Sequence, residues 1–120
     1  MGEFTSCYSL LMELINERNL NDNHSTPLNQ ERFESIDHIC ELVDSLIYQF
    51  RCRCVEADID DATHVLTISI WCDEIVLVGE KSNDFFSLIQ MISSFSASKS
   101  QDGDLRIDFN INDIWTVKNG

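Results

Sequence analysis

The sequence predicts an α+β fold: a two-layer sandwich with helices packed on one face of a mostly antiparallel sheet. Three observations carry this. Apolar residues recur at helical spacing in three segments, they alternate with polar residues in others, and each element type presents one apolar face that the other can cover. The 120 residues suit one domain, read as a single acidic unit over 1–120. The expected order is α-α-β-β-β-α-β, with "IWTV" near the end as a further short strand.

Residues 4 to 17 place Phe4, Cys7, Tyr8, Leu11, Leu14 and Ile15 on one helical stripe, with Thr5 or Ser6 as the cap. "NLNDNHSTPLNQ" follows as a loop containing His24 and the single proline. Thr26-Pro27 then opens a second helix, with Pro27 at the first helical position, where its missing N–H costs least. This helix runs to about Tyr48 and carries Phe33, Ile36, Ile39, Cys40, Val43, Leu46, Ile47 and Phe50 as its apolar stripe. Residues 50 to 58 read as a strand with Phe50, Cys52 and Cys54 turned inward, and 63 to 71 as another with Leu66, Ile68 and Ile70 inward. "DIDDAT" is the turn between them. A register that opposes inward residues pairs Cys54 with Ile70 and Cys52 with Cys72. A third strand is expected over Ile75 to Val78, closed by Gly79; Asp73-Glu74 is poor hairpin chemistry, so one bent strand competes with it. Ser82 or Asn83 caps a third helix bearing Phe85, Leu88, Ile89, Ile92 and Phe95. After the turn "KSQDGD", Leu105, Ile107, Phe109 and Ile111 alternate with polar residues in a final long strand.

The charge balance narrows the partners. Twenty-one acids against 8 Lys plus Arg give a net charge of −13. Such a field repels nucleic acid and anionic membranes and favours a basic partner. No apolar run approaches the ~20 residues of a membrane helix, and the first ten residues lack a basic, then apolar, secretion signal. The expectation is therefore a cytoplasmic protein with reduced cysteines, since an odd count of five at irregular spacing does not suggest a secreted disulfide framework.

Candidate chemistry is sparse. Cys52, Cys54 and Cys72 fall short of the four ligands of a structural zinc site, and His64 lies several residues away. Asp58, Asp60 and Asp61 begin like a calcium loop, but Thr63 stands where its glycine belongs and Ser69 where its last acid belongs. Glu34, His38 and Glu41 fall on one helical stripe and are the candidate ligands for a divalent metal. No phosphate loop, dinucleotide fingerprint or nucleophile elbow occurs.

Two surfaces remain as contact candidates. The outward face of the sheet collects Arg51, Arg53, Trp71 and Arg106, with Arg53 expected across from Trp71 and Arg51 from Asp73. The second helix turns Asp37, Glu41 and Asp44 away from its apolar stripe. The expected function is non-catalytic: an adaptor, inhibitor or immunity-type protein that meets another protein or a second copy of itself, needs no cofactor and avoids membranes. A nucleic-acid mimic is one form of this. The alternative is a small-ligand- or divalent-metal-binding protein, with an enzyme as its extreme case.

Overall fold

Three helices pack on one face of a four-stranded antiparallel sheet in the computed structural model of the chain. It describes residues 6–21, 30–60, 62–75, 77, 79 and 81–112, excluding the side chains of 18–21, 30–34 and 81. The elements are α1 (Cys7–Asn21), α2 (Gln30–Gln49), β1 (Cys54–Ile59), β2 (Leu66–Cys72), α3 (Lys81–Met91), β3 (Ser94–Lys99) and β4 (Leu105–Ile111). The sheet order is β1-β2-β4-β3, so the last strand sits inside the sheet.

The two-layer α+β class agrees with the sequence, but the element order does not. It is α-α-β-β-α-β-β rather than α-α-β-β-β-α-β. No strand forms at Ile75 among the described residues; β2 stops at Cys72, and the chain leads through Gly79, at φ +59°, into α3. Nor does α3 extend to Phe95. It ends at Met91, and the serine-rich run Ser94–Lys99, a weak helix former, pairs with β4 instead. "KSQDGD" is a turn as expected, but the turn of a β3–β4 hairpin. Gly103 donates its N–H to the Ser100 carbonyl at φ +94°, where a side chain would be strained. Thr26-Pro27, His24, "IWTV" and Trp115 lie outside the described residues.

The core forms where the helix stripes meet the inner row of the sheet. Cys7, Leu11 and Ile15 of α1, and Ile36, Ile39, Cys40, Val43 and Leu46 of α2, are buried against Leu66, Ile68, Ile70, Ile107, Phe109 and Ile111. On β2 and β4, Ile68 opposes Phe109 and Ile70 opposes Ile107. Each such side chain contributes about 1.5–3 kcal/mol on full burial.

The helix ends are held by side chains from other segments. Ser6 caps α1 by accepting the Ser9 N–H at 3.2 Å, and Asp44 of α2 accepts the Cys7 N–H at 3.0 Å. A carboxylate there complements both the unpaired donors and the positive end of the helix dipole. Asp84, in the first turn of α3, accepts from Ser45 Oγ at 2.6 Å and Gln49 Nε2 at 2.9 Å, tying α3 to α2.

The end of α2 sets the phase of β1. Cys52 N–H reaches the Ile47 carbonyl at 2.9 Å and Arg51 N–H the Tyr48 carbonyl at 3.4 Å, the bond pair of a Schellman motif. Arg51 occupies its left-handed position at φ 53°. Residues 50 to 53 are therefore a helix-ending turn rather than the start of a strand. Phe50 and Cys52 are buried by that turn, and the alternation begins afresh at Cys54. The observed register, Cys54 with Trp71 and Val55 with Ile70, is one residue away from the expected one. Such a slip exchanges the faces. Val55, Ala57 and Ile59 turn towards the helices, whereas Cys54, Glu56 and Asp58 are exposed.

Arg51→Gly is expected to raise stability by about 0.5–1 kcal/mol, because glycine adopts the left-handed conformation without the Cβ clash that costs other residues about 1–2 kcal/mol. Arg51→Val is expected to lower it. Chemical denaturation of both variants beside the parent measures the difference.

Candidate functional site

The sheet face away from the helices is a hydrogen-bonded surface that none of the three helices covers. Its side chains come from alternate positions: Cys54, Glu56 and Asp58 on β1, Thr67, Ser69 and Trp71 on β2, Arg106, Asp108 and Asn110 on β4, and Ser94, Ser96 and Ser98 on β3. Thr67 Oγ1 donates to Asn110 Oδ1 at 2.8 Å, and Asn110 Nδ2 donates to Ser94 Oγ at 3.1 Å, so a polar rung crosses three strands. A second rung runs from Ser69 to Asp108, whose Oδ1 also accepts from Arg106 Nε at 2.9 Å. Ser69 is buried within this rung.

Trp71 and Arg106 face each other across β2 and β4, and the guanidinium carbon lies 5.0 Å from the ring centroid. A cation over an indole at that distance contributes about 0.5–1 kcal/mol at an exposed site. Asp108 on one side and Trp71 on the other thus hold Arg106 in one orientation.

Two predicted members of this face lie elsewhere. Arg53 is not opposite Trp71, because the register moved; it lies at the end of the sheet, paired with Asp73 at 3.1 Å and with Asp104. That clamp joins the start of β1 to the end of β2 and the beginning of β4. Arg51 is not on the sheet at all. As the left-handed residue after α2, it lines a groove of about 510 Å³ with Ser6, Asp44, Ile47, Tyr48 and Cys52. Asp73, the expected partner of Arg51, pairs with Arg53 instead.

The acidic helix face also divides. Asp37 and Glu41 are exposed on α2, but Asp44 is half-buried and engaged with the start of α1. His38 lies 3.7 Å from Glu41, with both side chains exposed. The side chain of Glu34 lies outside the described residues. Among the described residues, no three His, Cys, Asp or Glu side chains gather as a metal site.

The cysteines separate by environment. Cys7, Cys40, Cys52 and Cys72 are buried thiols, whereas Cys54 is exposed on the outer face, contrary to its expected inward position. Burial pushes the Cys52 thiol up to about 12, and the neighbouring Cys72 adds to the shift. Burial likewise raises Cys72. The Cys7 thiol is raised by its hydrogen bond with Cys40 and by burial. All four are buried and pack as small apolar core groups.

The acidic turn has a structural use. Asp60 Oδ1 accepts the N–H groups of Ala62 at 2.8 Å and Thr63 at 3.1 Å, and the Asp60 carbonyl accepts from His64, which sits at φ 58°. The two backbone donors lower the pKa of this carboxyl.

Of the residues that the sequence assigned to the outer face, Trp71 and Arg106 are there. Sequence reasoning missed Cys54, Glu56 and Asp58, although the inward series Val55, Ala57, Ile59 was equally available as a pattern. It also missed the serine row of β3, whose signal was hidden within an apparent helix.

In the folded protein, iodoacetamide is expected to modify Cys54 promptly and the other four cysteines only at the rate of unfolding, as read by mass spectrometry of quenched time points. The Asp60 turn should stabilise the fold fully above the ordinary Asp pKa of about 3.9, with that contribution lost as pH falls through its lower folded value. An NMR titration of the Asp60 carboxyl with a midpoint below that of a disordered Asp would bear this out; an equal midpoint would refute it. No protein-family model, curated protein or solved structure matches the chain.

Proposed function

We propose that this chain is a non-catalytic binding protein that engages another macromolecule through the face of its sheet that none of the three helices covers. The observation that supports the reading most is the Trp71–Arg106 pair on its two middle strands, near one end of the face, held by Asp108. Tryptophan and arginine dominate binding hot spots because they combine broad apolar area with directional donors. Here both are already ordered by their neighbours, so little conformational entropy remains to be lost on docking. The face is also mixed in charge: Glu56 and Asp58 are exposed on one side, while Arg106 stands at the other end with Asp108 beside it. A protein surface with a complementary mixed pattern suits it better than a uniformly charged polymer.

A basic protein partner for the exposed carboxylates Asp37 and Glu41 is compatible with this reading, and the net charge of −13 would speed its approach. The groove lined by Ile47, Tyr48, Arg51 and Cys52 favours a second reading, a small-ligand protein, since its volume falls within the range of ligand pockets.

The two readings separate by mutation. Trp71→Ala and Arg106→Glu are expected to weaken capture of a partner from the native source by at least about tenfold while the far-UV spectrum is retained. Undiminished capture by both variants would remove the sheet face as the binding surface, and a loss confined to Tyr48→Ala would move the site to the groove.

A further inference from the structure

We propose that the outer edge of β3 is a self-association surface, on which a second copy of this chain adds its own β3 antiparallel across a two-fold axis at Ser96. This goes beyond the sheet-face reading and does not depend on it.

β3 is the edge strand of the sheet, paired on one side with β4 and with no strand on its other side among the described residues. All six of its residues are exposed. Edge strands are normally blunted by proline, by an inward charge or by brevity, because their unpaired N–H and C=O groups template further pairing. β3 contains no proline, and its single charge, the inward-facing Lys99, stands at its last position, outside the five residues that would pair. The helix layer does not reach over it either. Phe95 is 43% exposed on the helix side, although its ring meets Phe85 edge-on at 5.9 Å, and Phe86 of α3 is 54% exposed.

Charge narrows the occupant. No Asp or Glu occurs between Asp84 and Asp102, in a chain with 21 acids. Two copies of a protein with a net charge of −13 repel across most of their surfaces, and this edge is where close approach costs least.

The order of residues narrows it further. Ser94-Phe95-Ser96-Ala97-Ser98 is nearly the same read in either direction about Ser96. A two-fold axis perpendicular to the sheet keeps each face continuous, so opposed residues share a face. Centred on Ser96, it sets Ser94 against the partner copy's Ser98, Ser96 against its counterpart, and Phe95 against the partner copy's Ala97. A serine row would form on the outer face, where cross-strand hydroxyl pairs are favourable, and a large ring would meet a small methyl on the helix side. No like charges oppose each other in this register. The two sheets would then run on as one, with all helices on the same side.

Sedimentation equilibrium of the full chain, over roughly a hundredfold range of concentration, tests this. The parent protein is expected to show a reversible monomer–dimer equilibrium. Ser96→Glu and Ser96→Lys are each expected to be monomeric with unchanged far-UV spectra, since each places two like charges face to face. An equimolar mixture of the two is expected to recover the dimer. Trp71→Ala is expected to retain it, which distinguishes the edge from the sheet face. A parent that is monomeric throughout, variants that both still dimerise, a mixture that stays monomeric, or a Trp71→Ala protein that loses the dimer would each overturn the proposal.

Discussion

The backbone turn that ends α2 decides which way every side chain of β1 points. Two hydrogen bonds and a left-handed Arg51 close the helix and send Cys52 into the core. The next strand starts from a new phase, so Val55, Ala57 and Ile59 complete the apolar layer and Cys54, Glu56 and Asp58 reach water. A strand has a period of two, so no compromise between these phases exists. The composition of the open face, including its acidic margin along β1, descends from this single reversal. So does the position of Arg53, which falls beyond the strand and clamps Asp73 and Asp104 instead of lying over Trp71.

Legibility in the sequence followed the strength of the periodic signal. The stripe Ile36, Ile39, Cys40, Val43, Leu46 has one helical interpretation, and all five are buried. Leu66, Ile68, Ile70 and Ile107, Phe109, Ile111 likewise alternate in only one way, and they form the buried row of the sheet. Errors arose where two periods fitted the same residues. Phe95 continues the helical spacing of Phe85, Leu88 and Ile92, yet it also alternates with serines. Pairing with β4, whose Phe109 lies opposite, prevailed over spacing. Between Phe50 and Ile59 the inward series could begin on either parity, and only the three-dimensional closure of α2 chooses. The candidate site was half legible for the same reason: Trp71 and Arg106 stand on unambiguous strands, whereas Arg51 and Arg53 stand in the segment where the phase resets.

The carboxylates are more than a solvated coat. Asp44 receives the first N–H of α1, Asp84 joins α3 to α2, Asp60 builds a turn, and Asp108 links Ser69 with Arg106. From sequence these acids look alike, because a carboxylate that accepts donors from elsewhere in the fold carries no compositional mark. In the fold they divide into those that organise the chain and those, such as Asp37 and Glu41, that leave their charge at the surface.

The placement of β4 between β2 and β3 has a consequence for how the chain reaches its native state. β2 is the neighbour of both β1 and β4, but β4 is translated after a helix and another strand have intervened. During synthesis the β1–β2 hairpin can close early, yet its inner edge must wait for Leu105–Ile111 to emerge before Leu66, Ile68 and Ile70 gain their partners. Late, sequence-distant pairing of this kind slows folding and leaves nascent apolar strand exposed on the ribosome. The helices α1 and α2, made before that strand and joined in the fold through Asp44, are the elements positioned to shelter it in the interval.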